Sequence, residues 1–175
     1  WFVLVHVAIE AEAGRALQLA TELVEAAAQH DAVKVEQLLT DMNRVWDAMN
    51  AHFDRMPERC DPYIYYQRVR PYIHGWKNSP SLPQGVVYEG VADYAQRPQQ
   101  FRGETGSQSS IVPALDAGLG IPHADDPLTQ YLVEMRDYMP PRHRTFLAAL
   151  EARTDEQHRP LLYGYARDRK ATHPD

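Results

Sequence analysis

The first proline of this chain is Pro57, and Gly14 is the only glycine before it. Fifty-six residues with one helix breaker, rich in Ala, Leu, Glu and Gln, read as helix. His30-Asp31 is the expected turn, so two long helices form a hairpin. The second arm has helical spacing at Val35, Leu38, Met42, Val45, Met49 and Phe53, with Trp46 beside them. The first arm is apolar all round over Trp1–Ile9 and amphipathic after it. A helix apolar on every side is expected to lie inside its domain.

Residues 57–127 change character, with nine prolines and seven glycines. The spacing predicts a short helix over Tyr63–Ile73, kinked at Pro71, and then an irregular stretch over Lys77–Ser107. A loop of that length is usually functional or disordered. Val86, Val87, Tyr88, Val91, Tyr94 and Phe101 inside it argue against disorder. Helices are expected again over Gln108–Leu119, Leu128–Tyr138 and Arg142–Ala152, with Pro140-Pro141 stopping the middle one. The tail from Arg153 to Asp175 is polar and shows no persistent period. With no strict strand alternation and no internal repeat, the fold class is all-α.

A length of 175 residues points to one domain. Its 18 basic and 24 acidic side chains leave a net charge of −6, with no basic field to draw nucleic acid or an anionic membrane. The single cysteine, Cys60, excludes a disulfide framework and a cysteine-cluster metal site. No apolar run reaches the roughly 18 residues of a membrane span. The opening WFVLVHVAI has no basic leader or cleavage site, so a cytoplasmic location is expected. An apolar run that starts at Trp1 suggests an internal piece of a longer protein.

Few residues stand out for chemistry. Phe2, His6, Ile9 and Ala13 share a helical face. His6 is either a core histidine satisfied by a hydrogen bond or a histidine facing a ligand pocket. Arg70 ends the run YIYYQRVR, where α-helical spacing pairs it with Tyr66. A guanidinium matches a carboxylate with two parallel N–H groups, although a surface arginine is the plainer reading. The segment Gly103-Glu104-Thr105-Gly106-Ser107-Gln108-Ser109-Ser110 precedes a predicted helix. Its small residues allow close approach to a flat ligand, and its hydroxyls and free N–H groups suit an anion. It lacks the lysine and spacing of a P-loop, and an ordinary N-cap is the plainer reading. His30, His52, His74, His123, His143, His158 and His173 form no tight metal triad. Glu10 and Glu12 point to different helix faces, a poor acid/base pair.

Three stretches in order, PYIHGWKNSPSLPQGVVYEG, FRGETGSQSSIVPALDAGLGI and YLVEMRDYMPPRHRTFLAALE, resemble the indoleamine 2,3-dioxygenase family. The opening WFVLVHVAIEAEAG resembles the same family's helix over the haem. The resemblance covers about residues 1–152 and leaves 153–175 as a divergent polar tail. It implies an all-α haem-dioxygenase domain, incomplete at both ends, that uses haem b to open the indole ring of L-tryptophan or a related indoleamine with O2. The product would be N-formylkynurenine.

Residue by residue, the resemblance implies that Phe2 packs on the indole. His6, where such enzymes often carry serine, would accept its N–H. Tyr65 and Tyr66 would form the aromatic wall, and Arg70 would hold the carboxylate. Thr105 would meet the substrate, and Gly106 and Ser107 would lie at the haem edge. The proximal histidine is expected beyond residue 175, so neither His158 nor His173 is assigned to the iron. Two other readings stay open: an oxygen-binding haem protein of the same fold, and a haem-free remnant.

Overall fold

The computed structural model describes residues 1–172, and His173 lies outside them. Eight helices carry these residues, and among them no strand forms beyond isolated bridges. The chain is all-α, as its pattern required. It divides into two compact units: Trp1–Met56 with Ser107–Asp175, and Pro57–Gly106. The two units differ in how they are held together. No side chain of residues 57–106 is buried.

The first unit is built on the hairpin of α1 (Phe2–Ala28) and α2 (Ala32–Asp54). At the turn His30 takes a left-handed φ of 55°. Asp31 then caps α2 by accepting the Lys34 N–H at 3.0 Å. At the open end, Trp1 Nε1 donates to the Arg55 carbonyl at 2.8 Å, which fixes the arms as antiparallel. Ala13, Ala16, Leu19, Ala20, Leu23, Ala26 and Ala27 of α1 are buried with Val35, Leu38, Met42 and Met49 of α2. Ile111 and Leu115 of α5 (Ile111–Leu119) and Leu162 of α8 (Leu161–Thr172) close the same core. The many alanines let helices approach closely: a Cβ added to Gly118 of α5 would sit 3.0 Å from that of Ala20. Fully buried leucines such as Leu19 and Leu23 contribute roughly 1.5–3 kcal/mol each. A second cluster joins Ala114 and Met139 to Leu147 and Leu150 of α7 (Pro141–Glu151). The remaining helix, α6 (Pro127–Met135), is capped by Asp126 and buries Met135.

Two sequence expectations are corrected here. The apolar opening does not lie inside its unit: Val3, Leu4 and Val7 are 68%, 62% and 58% exposed. The core of α1 runs from Ala13 onward, and ahead of it only Val5 is buried. Phe53, at the end of α2 alongside these turns, is exposed as well. The second correction concerns the tail. Its polar residues form α8, which buries Leu162 and Gly164. Weak periodicity hid this helix, because ion pairs supplement its narrow apolar contact. Arg159 grips Asp155 and Asp168, each at 2.7 Å, and Arg153 reaches Glu25 of α1 at 2.6 Å. The hydrogen bond from Arg153 holds the Glu25 carboxyl below its ordinary range. Among the described residues no helix is long and apolar enough to cross a membrane.

The second unit contains α3 (Pro62–Ile64), a π turn over Tyr65–Val69, α4 (Arg70–Ile73) and a long loop. Backbone bonds hold it in place of a buried core. Trp76 and Lys77 N–H both donate to the Phe101 carbonyl, Gly103 N–H donates to His74, and Val86 and Gln99 exchange bonds. The rings of Tyr88, Tyr94 and Phe101 meet at 5.7–6.0 Å between centroids. Gly75, at φ 81°, and Gly103 lie backbone against backbone, so a Cβ on Gly103 would run into the Ile73 carbonyl oxygen.

These contrasts predict opposite effects of one substitution. Gly103→Ala is expected to destabilise by about 1–3 kcal/mol, because backbone has to move. Gly14→Ala, with nothing within 4 Å on a helix interior, is expected to stabilise by roughly 0.5–1 kcal/mol. Urea unfolding of both variants checks the pair, and equal midpoints would contradict the close approach at Gly103.

Candidate functional site

The candidate residues fall on both units. Phe2, His6 and Ser107 belong to the first, while Tyr65, Tyr66, Arg70, Thr105 and Gly106 belong to the second.

On α1, Phe2 and His6 are one turn apart and both half-buried. Their ring centroids lie 4.3 Å apart at an interplanar angle of 43°. His6 Nδ1 lies 2.8 Å from the Phe2 carbonyl oxygen. A carbonyl only accepts, so Nδ1 carries the hydrogen in this contact. In the neutral ring Nε2 is then a bare acceptor. The two readings of His6 therefore meet in one residue: one nitrogen is satisfied by its own helix, the other is available to a ligand donor. Val3, Leu4 and Val7 of the same two turns are exposed apolar side chains.

In the second unit the helix carrying Arg70 is not a regular α-helix. The π turn over Tyr65–Val69 interrupts it, and the Arg70 N–H donates to the Tyr65 carbonyl five residues back. The spacing that pairs Tyr66 with Arg70 assumes an α-helix, and the extra residue in the turn brings Tyr65 round as well. Burial separates the two tyrosines: Tyr65 and Arg70 are half-buried, while Tyr66 is 69% exposed. No hydrogen bond or ion pair engages the Arg70 guanidinium among the described residues. Apolar residues stand near it in sequence, with Tyr63 and Tyr72 exposed at 68% and 87%.

The loop after Phe101 is fastened to the end of this same helix. Gly103 N–H donates to the His74 carbonyl at 2.9 Å, and Gly75 bridges Arg102. Thr105, half-buried, follows two residues later, and Gly106–Gln108 form a single 3-10 turn. Sequence reasoning placed the loop but missed what holds it, Gly75 against Gly103. The glycine in GWKNSP was the available signal.

Further on, the loop hydroxyls are engaged by protein. Ser109 Oγ accepts the Ile111 N–H at 3.2 Å, and Ser110 Oγ and His143 Nδ1 share a hydrogen bond of 2.9 Å. The N-cap of α5 is Ser110, whose side chain makes no cap bond, and Ser109 one residue earlier takes up the first helical N–H. Of the other histidines, His123 meets Asp116 at 2.9 Å and His52 faces Glu12 at 3.8 Å. His158 sits exposed in a turn with φ 61°. Among the described residues no group of three His, Cys, Asp or Glu side chains could hold a metal ion.

The family model described as indoleamine 2,3-dioxygenase matches residues 1–168. Indoleamine 2,3-dioxygenase 1 of Rattus norvegicus is 37% identical over 153 residues, covering 86% of this chain and 37% of the relative. An indoleamine 2,3-dioxygenase of Aspergillus nanangensis is 36% identical over 154 residues, 86% of this chain and 38% of the relative. A protein of Haliotis madaka named myoglobin is 34% identical over 151 residues, 86% of this chain and 39% of the relative. The chain thus spans 37–39% of the length of these relatives. With nearly its whole length matched by one family model, this chain belongs to the indoleamine 2,3-dioxygenase family.

Proposed function

We propose that this chain forms part of a haem-dependent dioxygenase that opens the indole ring of L-tryptophan to N-formylkynurenine. The observation that carries the reading is Arg70. Arg70 is half-buried, its guanidinium meets no hydrogen-bond or ion-pair partner among the described residues, and its backbone N–H bonds to Tyr65, which suits a carboxylate held near an aromatic residue. A substrate that is both indole and amino acid offers that pair of groups.

The residues of α1 fit a haem in their chemistry. Val3, Leu4 and Val7 are exposed apolar side chains on the turns that carry Phe2 and the His6 imidazole, and such uncovered apolar surface suits a flat apolar group. Gly106 and Ser107 would lie at its edge, where small residues permit close approach. When bound, the haem supplies the iron that binds and activates O2. The chain's own residues bind and orient. Arg70 would pair with the substrate carboxylate and Tyr65 would flank the indole, as the family resemblance implies. His6 Nε2 would accept the indole N–H while Nδ1 stays anchored on Phe2. With the ring fixed in this way, O2 adds at the indole C2=C3 bond and both oxygen atoms end in the product. Positioning of this kind is where a cofactor enzyme's protein makes its main contribution.

The myoglobin among the relatives favours a second reading, an oxygen-binding haem protein. Such a protein has no use for an unpaired Arg70, so one variant separates the two. In the full gene product, Arg70→Ala is expected to cost about 2–5 kcal/mol in kcat/KM for L-tryptophan while haem content stays constant. Lysine is expected to rescue poorly, because it offers a point charge in place of a fork. Unchanged kcat/KM removes Arg70 from the site, and a protein that binds O2 reversibly without consuming tryptophan supports the second reading.

His6 gives an independent check. His6→Ser should be tolerated, since a hydroxyl or bridging water can accept the indole N–H. His6→Leu should cost L-tryptophan about 1–3 kcal/mol and 1-methyl-tryptophan, which has no N–H to donate, much less. If leucine slows both substrates equally, His6 only packs against Phe2.

A further inference from the structure

The π turn over Tyr65–Val69 is followed, after one residue, by Pro71. Inside a regular α-helix, Pro71 would have no N–H for the carbonyl of Gln67, and its ring would clash with that carbonyl. Proline also disfavours helical geometry in the residue before it. Arg70 nonetheless has helical angles, φ −53° and ψ −42°. The conflict is relieved one turn earlier. The Arg70 N–H bonds to the Tyr65 carbonyl, five residues back, and the helix restarts with Pro71 in its first turn, where a missing N–H costs nothing.

The restart changes which side chains are neighbours. In an α-helix Arg70 lies over Tyr66, four residues back, and well away from Tyr65. One added residue in the turn rotates Arg70 toward Tyr65. The exposures agree, with Tyr65 and Arg70 half-buried and Tyr66 turned to solvent.

We propose that Pro71 is a positioning residue: by imposing the π turn it aims the unpaired Arg70 guanidinium to the Tyr65 side, where it meets the substrate carboxylate. This rests on the tryptophan-binding reading above. Pro71 touches no substrate itself and acts through the backbone register of Arg70.

The test compares wild type with Pro71→Ala in the haem-loaded full gene product. Alanine supplies the missing N–H and removes the ring, so the turn is free to return to α geometry. A crystal structure of the variant reads the register directly, and the expected result is an Arg70 N–H bonded to the Tyr66 carbonyl. Dissociation constants for L-tryptophan and L-tryptophanamide, read from the haem spectrum, report the consequence. The preference for the carboxylate compound is expected to fall roughly tenfold or more, as for other small misplacements of a positioning group. Affinity for the amide should stay nearly constant. An Arg70 N–H still on Tyr65 in the variant overturns the proposal, and so does an α register with the carboxylate preference intact. A wild-type protein that binds neither compound defeats the tryptophan reading instead, and the register of the variant still decides whether Pro71 sets the turn.

Discussion

The first unit depends on the packing of a small-residue face of α1 against its neighbours. Ala13, Ala16, Ala20, Ala26 and Ala27 are all nearly inaccessible, and they leave room for α2, α5 and α8 to share one helix as their wall. Alanine contributes little area but loses no side-chain entropy on burial, and it lets helix axes come close. Leu19 and Leu23 then fill the space between them. Gly118 opposite Ala20 extends the same logic to α5, whose first turn follows the serine-rich loop.

The second unit uses a different device. With no buried side chain in residues 57–106, it is closed by backbone bonds around a glycine-on-glycine contact and by a trio of aromatic rings. Proximity matters more than buried area here, because backbone groups bond only when nothing stands between them. The outcome is that the end of the Arg70 helix and the segment leading to Thr105 are tied together at His74 and Gly103.

Much of this was legible in the residues. The hairpin and its turn follow from the absence of breakers before Pro57, and Val35, Leu38, Met42 and Met49 of the second arm's stripe are buried, with Val45 packed partly buried against them. The helices over Ile111–Leu119, Pro127–Met135 and Pro141–Glu151 lie within a few residues of the segments read from sequence. Two features were not legible. The tail helix is preceded by Arg153, which pairs with Glu25 of α1, and by Arg159, which pairs with Asp155 and with Asp168 of the helix, contacts that no apolar period reveals. The π turn escaped as well, since a count of three or four residues per turn assumes the geometry in question.

The sequence by itself determined the all-α class, the family, and the residue types that suit an indole and a carboxylate. Those are properties of local spacing and of motif order, which a linear pattern carries. Tertiary structure decided how they are presented. It left Val3, Leu4 and Val7 uncovered, because the core of α1 begins only at Ala13. It set the hydrogen on His6 Nδ1, because the Phe2 carbonyl one turn away can only accept. It bonded the Arg70 N–H to the Tyr65 carbonyl five residues back, just before Pro71, a residue that has no N–H for an unbroken α-helix.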